Sequence, residues 1–471
     1  MRMLMVLGTS SSAGKTLITT ALCRIFSESG YSVSPFKAMN MSLNSISIAD
    51  GSEIARAQWL QSRAAKQNPL KEMNPILLKP EGNGHSQVIL LGRSRGVMSI
   101  QEYQGYLKRN GRKAVDKSIS LLGDRFDIII AEGAGSPAEI NLMDHDIANT
   151  YILSRYAQRS ILVGDIDRGG VFASLYGTVM LMKGSEKVSG FIINKMRGES
   201  GMLKVGLERI SELTSKPVLG VMPYIDNLNL PGEDSLDYSS EKILGNSIAV
   251  IKYPYMENFS DLDPVFAYGG GIRFVSGNDR DALDLAKLII LPGSKNVKED
   301  LRYIRSSGLA DSIISAASGG TKILGICGGY QMMGREIRFP DGTSERGLGM
   351  FDSLTVYNRE KTVRKTEYRG SGTPLGNDVG GTGYEIHYGS AQTKDHPMFS
   401  TENGPEGSVS SSLNAYGTNI HGILENTAIY RFFTGRTPDR SYGEILEDNI
   451  SLLADIFAKN INVEQIISWF R

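Results

Sequence analysis

Only two of the 471 residues are cysteine, Cys23 and Cys327, and they stand far apart in the chain. That excludes a disulfide scaffold and fits a reducing compartment, so the expected location is the cytoplasm. Neither sign of charge is in excess, with 51 Lys plus Arg against 51 Asp plus Glu. Such a balance gives no basic footprint for nucleic acid and no bias toward a membrane surface. No apolar run approaches the ~20 residues of a membrane span. The opening stretch MRMLMVLG is too short for the apolar core of a secretion signal. The chain also lacks an internal repeat.

What is plentiful is glycine, 53 residues, in a chain that is 41% hydrophobic. That mixture suits an α/β protein with many strand–loop–helix junctions. Short apolar runs at 2–7, 31–36, 126–131, 161–163, 190–193 and 217–222 alternate with helical patterns such as 15–29. Alternation of this kind argues for a parallel sheet covered on both faces. A polar, acidic stretch at 226–237 reads as a linker. A second α/β series follows it, with strands at 247–253, 272–275, 288–291 and 322–326. The expected organisation is a domain over 1–232, a second over 247–436, and an amphipathic helical tail over 437–471. Residues 359–383 are basic and then glycine-rich, and read as a mobile loop.

Two motifs carry chemistry. The first is GTSSSAGKT at 8–16, between a strand and a helix. Strand, glycine loop, Lys-Thr and helix make a phosphate loop, in which backbone N–H groups and a helix N-terminus cradle oxyanions. Gly8, Thr9, Ser12 and Gly14 form the cradle, Lys15 reaches the β/γ oxygens, and Thr16 offers a hydroxyl to Mg²⁺. A metal held by hard oxygen ligands also needs carboxylates. Glu132 ends an apolar strand and Asp50 lies in a turn, and both are candidates beside Thr16. Lys37 ends the second strand, at the edge where parallel sheets bind ligands. It is a candidate for phosphate or a substrate carboxylate. Asn194, at another strand end, is a candidate for reading adenine.

The second motif is GICGGYQMMG, with Cys327 on a strand-to-helix turn. A thiol there is placed to attack a carbonyl, activated by a helix N-terminus and an imidazole. His421, in TNIHGILEN, is the best partner. Two backbone N–H donors must hold the resulting oxyanion. One is Gly328; the other is Gly293 or Ser294, in the LPGS turn. Many glutaminases carry His-x-Glu, but here Ile423 stands two after His421, and Glu425, four after, has an unsuitable offset. A backbone carbonyl or another residue must therefore orient the imidazole, or basal glutaminase activity is low.

With these residues in view the chain resembles the cobyric acid synthases, glutamine-dependent amidotransferases of cobalamin synthesis. The resemblance spans nearly the whole length, through PFKAMNMSLNS, DGSEIARAQ, EGAGSPAEINL, DIDRGGVFASLYGT, LPGSKNVKEDL, GYEIHYG and HGILEN. It implies a phosphate-loop, parallel-sheet N-terminal domain of the dethiobiotin-synthetase type. It also implies a flavodoxin-like class I glutaminase domain at the C-terminal end. ATP with Mg²⁺ would activate four carboxylates of adenosylcobyrinic acid a,c-diamide, and ammonia from glutamine would replace the activated oxygen. Cys327 would be the nucleophile and His421 the base. A passage for ammonia between the domains is expected, because ammonia released to neutral water is mostly protonated. Arg168 and the basic 359–369 stretch would attract the acidic corrinoid, and AEINL with His387 would line its site. A cell-wall lipid amidotransferase or the related a,c-diamide synthase is the nearest alternative. Nucleic acid and membrane are not expected partners, and the resemblance leaves room for a homo-oligomer.

Overall fold

The computed structural model describes residues 1–82, 84–143, 146–226, 228–232, 248–372 and 374–471. Half of the expected linker at 226–237, and the boundary at 247, lie outside them. The chain divides into two compact units. The first comprises Met1–Ser42, Ile54–Glu233 and Glu447–Arg471; the second comprises Leu43–Glu53 and Asp234–Leu446.

The first unit is built on six parallel strands: β1 (Arg2–Gly8), β2 (Val33–Phe36), β3 (Ile128–Glu132), β4 (Arg159–Asp165), β5 (Val188–Met196) and β6 (Val218–Pro223), in the order β2-β3-β1-β4-β5-β6. Their near-continuous apolar sequences follow from burial on both faces. Met3, Met5, Leu7, Ile129, Leu162 and Phe191 share one side of this core. Helix α1 (Lys15–Glu28) leaves β1 through the phosphate loop. It ends where Gly30, at φ 91°, turns the chain, with Tyr31 N–H bonded to Phe26 O (3.1 Å) and Gly30 N–H to Ser27 O (3.1 Å). That paired closure needs the left-handed backbone glycine tolerates.

The C-terminal segment is not a separate tail. From Glu447 onward it is part of the first unit. Arg24 pairs with Glu447 at 2.6 Å, Phe470 meets Phe26 edge-on at 6.1 Å, and Asn462 N–H bonds Leu219 O at 2.8 Å. The apolar stripe of the helix Tyr442–Asn460 thus finds its core at the far end of the sequence, a match that no local pattern discloses.

The second unit has β7 (Ile248–Ile251), β8 (Ile272–Val275), β9 (Leu288–Leu291), β10 (Lys322–Ile326) and, later in the chain, Ala415–Thr418. These are parallel in the order β8-β7-β9-β10 followed by Ala415–Thr418, with Ser408–Val409 antiparallel at the edge. Strand order 2-1-3-4-5 is the flavodoxin-like winding. The expected mobile loop at 359–383 is instead most of a long hairpin, β11 (Ser353–Gly370) against β12 (Gly380–Thr393). Alternation decides this: Thr366, Tyr368 and Gly370 are buried while Glu367 and Arg369 are exposed, the period of a half-buried strand. Two of its cations are committed to ion pairs inside the unit, Lys361 with Glu53 (2.8 Å) and Arg364 with Glu385 (2.8 Å).

Candidate functional site

The phosphate loop sits at the C-terminal end of the central strand β1. Ser12 (φ 58°) and Gly14 (φ 99°) are both left-handed, which bends the loop back on the start of α1. A Cβ on Gly14 would meet Asn194 Nδ2 at 1.9 Å, so glycine is required by space as well as by backbone. Asn194 donates to Ala13 O (3.0 Å) and braces the loop from behind. Lys15 Nζ bonds two loop carbonyls, Ser10 O (2.8 Å) and Gly135 O (3.0 Å). Lys195, which the sequence reading passed over, reaches Ser12 O (2.7 Å) and Asp165 (2.8 Å).

Glu132 is the hub of this edge. One carboxylate oxygen accepts from Thr16 Oγ1 (2.9 Å) and Lys37 Nζ (2.9 Å), the other from Gln61 Nε2 (2.6 Å). Glu132, Lys37 and Gln61 are buried, with Glu132 1% exposed and Lys37 3%, while Thr16 is partly exposed. The structure therefore joins Thr16, Glu132 and Lys37, and adds Gln61 from the helix Arg56–Ala64, which no motif marks. Among the described residues no three His, Cys, Asp or Glu side chains cluster as metal ligands. A hydroxyl and a carboxylate in contact, both hard oxygen donors, suit Mg²⁺, which takes most of its remaining ligands from phosphate and water. Asp50 falls in Leu43–Glu53 of the second unit, where its carboxylate accepts Ser52 N–H at 3.0 Å. Of the three expected oxygen donors, Thr16 and Glu132 belong to the first unit. Arg168 is exposed in the turn after β4.

In the second unit, Cys327 lies between β10 and the helix Gly328–Met333 with φ 53° and ψ −112°, a backbone state rare for any side-chain-bearing residue. Strain of that kind persists only where the surroundings enforce it. They do: Cys327 N–H bonds Thr418 O at 2.7 Å, and the Gly329 Cα has no room for a side chain, since a Cβ would meet Leu291 O at 1.9 Å. A Cβ on Gly328 would lie 2.6 Å from the Ser294 nitrogen. The two expected oxyanion donors, from elements over thirty residues apart, are thus neighbours. Ser294 is anchored through Oγ to Asp300 (2.5 Å), whose other oxygen accepts Tyr255 N–H (2.9 Å). Burial pushes the Asp300 carboxyl up to about 6, against the pull of those two hydrogen bonds.

His421 is fully buried and sits over Gly293, its Cε1 3.6 Å from where a Cβ on Gly293 would be. The ring stacks on Tyr384, centroids 5.0 Å apart at 15°. Its Nδ1 meets Asp261 Oδ2 at 2.7 Å, and Asp261 Oδ1 accepts Gly422 N–H at 2.6 Å. This carboxylate, 2% exposed and 160 positions upstream, is the orienting group that the sequence left open. Its local signal was weak: a polar NFSD at the end of the first strand–turn of the unit, where Asn258 takes φ 50° and starts a tight 3₁₀ turn, Phe259–Leu262. Burial draws the imidazole toward its neutral form. The Asp261 charge and hydrogen bond outweigh that, Cys327 acts in the same direction, and the pKa stands at about 10. Nε2 is buried with no hydrogen-bond partner among the described residues. The Cys327 thiol is near enough to raise the ring's pKa, and its Sγ also reaches Ile386 O at 3.5 Å.

His387 lies elsewhere in the unit's hydrogen bonding. Its ring nitrogens meet Gly389 O (2.7 Å) and Glu385 (3.0 Å), and Glu385 also accepts from Arg364 and Thr366. Burial raises the Glu385 carboxyl, but His387, Arg364 and Thr366 together bring it down to about 2.

Residues 4–236 match the CobQ/CobB/MinD/ParA nucleotide binding domain, and residues 247–429 match the CobB/CobQ-like glutamine amidotransferase domain. A probable cobyric acid synthase of Picrophilus torridus is 53% identical over 98% of both chains. The chain belongs to the cobyric acid synthase family. A probable member from Thermoplasma acidophilum is 49% identical over 99% of both chains, and the cobyric acid synthase of Clostridium novyi is 40% identical over 98% of this chain and 96% of its own. A solved glutamine amidotransferase aligns with 40% of this chain and 96% of its own at a TM-score of 0.32 and 15% identity, a likeness too slight to add weight. No helix among the described residues is long and apolar enough to cross a membrane.

Proposed function

We infer that the protein uses glutamine and ATP to convert the b, d, e and g carboxylates of adenosylcobyrinic acid a,c-diamide to amides, giving adenosylcobyric acid. The observation that carries this is the coexistence, in one chain, of a strained thiol beside a carboxylate-held imidazole and a lysine-bearing phosphate loop. In the second unit, the His421 imidazole carries its proton, held there chiefly by Asp261. The sulfur attacks the glutamine side-chain carbonyl, the Gly328 and Ser294 amides hold the oxyanion, and Nε2 gives its proton to departing ammonia. Water then cleaves the thioester to glutamate. Asp261 acts through His421, fixing the ring and its charge.

In the first unit, a corrinoid carboxylate attacks the γ-phosphorus of ATP. The new carbon-side O–P bond forms as the P–O bond to ADP breaks. Ammonia then attacks the acyl carbon, phosphate leaves with its oxygen, and the amide loses a proton. A carboxylate needs this step because its charge and resonance resist direct attack. Thr16 and Glu132 would hold Mg²⁺, which would neutralise charge on the transferring phosphoryl group. Lys15 serves the same charge from the loop, while Asn194 keeps the loop in shape and Lys37 fixes the position of the Glu132 carboxylate.

The test is direct: the protein with ATP, Mg²⁺, glutamine and the corrinoid a,c-diamide, followed by mass measurement of the product. Four exchanges of OH for NH₂ support the reading. A product unchanged under conditions in which glutamine is hydrolysed would refute it, and amidation only of the parent acid lacking the a and c amides would move the chain to the related diamide synthase activity.

A further inference from the structure

The first unit contains a cavity of about 420 Å³, lined in part by Glu139 and Leu142 of the AEINL stretch. One wall is the loop after β3: Gly135, which receives Lys15 Nζ at 3.0 Å, and Ser136. The cavity therefore opens beside the place where a γ-phosphate would meet Lys15. Hydrogen bonds tie Ala134 to the segment 146–150 there. Asn149 exchanges two hydrogen bonds with Ala134 (3.1 and 2.6 Å), and Asp146 is engaged with the N–H groups of Ala148, Asn149 and Thr150.

The opposite wall has an unusual backbone. The helix Ile100–Tyr106 runs into five residues of π-helix, Leu107–Gly111, before Arg112–Arg125 resumes the α form. Tyr103 and Arg112 are nine positions apart. At about 3.6 residues per turn, nine residues make about two and a half turns, which puts them on opposite faces of a regular helix. Both line this cavity. The π-turn, widening the spiral locally, brings the guanidinium round to join Tyr103, Leu107 and Lys108. Such turns are rare and gather at functional sites. Arg112 lies against the Tyr151 ring at 5.2 Å, and its buried Nε has no hydrogen-bond partner among the described residues. Met41 and Leu142, on other walls, are both 49% exposed. A mostly apolar hollow with two cations on one helical face suits a ligand that is apolar in its body and anionic at its rim.

The geometry points to this cavity as the acceptor site, in which Lys108 and Arg112 hold carboxylates of one edge of a corrinoid ring while its apolar body lies against Tyr103, Met41 and Leu142. This rests on the functional reading above and locates its acceptor. A hollow of this size takes an edge of the macrocycle rather than the whole. Successive carboxylates are then presented to Lys15 by rebinding the ring in a new orientation, and the two cations accept whichever neighbouring arm comes to them. Glu139 also lines the cavity, and it selects against ligands carrying carboxylates at that position.

The experiment compares Lys108→Ala, Arg112→Ala and Lys108→Arg in the full chain, with corrinoid a,c-diamide as acceptor. The KM for the acceptor rises tenfold or more in both alanine variants and stays within threefold for Lys108→Arg, while the KM for ATP holds within twofold throughout. Tyr103→Trp supplies a second readout, since an indole in this wall is quenched saturably by the coloured corrinoid and not by ATP. Acceptor KM unchanged in both alanine variants of an active enzyme would overturn the placement and leave the activity standing. Absence of corrinoid-dependent ATP turnover in the parent protein would remove the activity and the placement with it. Should Arg112→Ala fail to fold, Lys108→Ala and the Tyr103→Trp quenching decide.

Discussion

Replacing Asp261 by Asn tests the thiol site at its least visible member. In the native arrangement one carboxylate oxygen faces His421 Nδ1 at 2.7 Å and the other accepts Gly422 N–H at 2.6 Å. An asparagine has a single oxygen, and the Gly422 amide, a donor only, claims it. The NH₂ then faces Nδ1 and makes it an acceptor, which forces the ring proton onto Nε2 in a neutral imidazole. Such a ring cannot take a proton from the thiol. The charge is lost as well. The imidazole pKa, raised from 6.5 to about 10, expresses a preference for the charged ring on the order of 4–5 kcal/mol at ~1.4 kcal/mol per unit. Losing about 3–4 kcal/mol of this in the transition state lowers kcat for glutamine hydrolysis by roughly 10²–10³-fold.

The pH profile adds a second reading. In the parent, the charged ring survives up to about pH 10, so the alkaline limb of glutaminase activity lies near there. In Asp261→Asn only burial acts strongly on the ring, and the limb moves below neutrality. The stability sign agrees: a raised folded pKa contributes fully below the unfolded value of about 6.5 and is lost as pH climbs through about 10. Glutamate release is the assay, with ammonium-driven amidation as the check that the first unit still works. Hydrolysis within threefold of the parent, with an unmoved alkaline limb in a folded protein, would refute this role for Asp261.

Cys327→Ala abolishes amidation from glutamine and leaves amidation from added ammonium, measured by product mass; loss of both would mean the thiol serves the fold rather than nitrogen release. Gly14→Ala drives a methyl into Asn194 Nδ2, 1.9 Å away, and raises the KM for ATP at least tenfold, with glutamine hydrolysis as the unaffected comparison. Lys361→Ala removes the cation paired with the buried Glu53 carboxylate, which keeps its bond from Ser45 Oγ, and destabilises the second unit by about 3–5 kcal/mol, read as a lower midpoint in urea; an unchanged midpoint would show that Glu53 is rehydrated or neutralised at little cost. Gly220→Ala places a Cβ 2.0 Å from Asn460 O and lowers Tm by loosening the C-terminal helices from β6, which limited proteolysis detects as early loss of the terminal segment.

Contiguous chemistry was readable before any coordinates. The phosphate loop needs its glycines, Lys15 and Thr16 in one stretch because a single turn of backbone wraps the phosphate, and the elbow needs Cys327 between glycines because one turn carries the strain. Apolar runs buried on both faces likewise announced the six parallel strands of the first unit and four of the second, but not Ala415–Thr418. The misreading at 359–383 had a physical cause: basic residues and glycines read as solvated chain, yet alternating burial of Thr366 and Tyr368 and the pairing of Lys361 with Glu53 make it a hairpin.

What local order could not carry was partnership across distance. Asp261 becomes the partner of His421 only when a 3₁₀ turn is folded against a short strand 160 positions away, and neither residue's neighbours encode the other. Gln61 joins Glu132, and the terminal helices join β6, on the same terms. Motifs are written by covalent sequence because their geometry is that of one turn; sites are assembled by packing, because burial free energy is indifferent to how far apart along the chain the contacting groups begin.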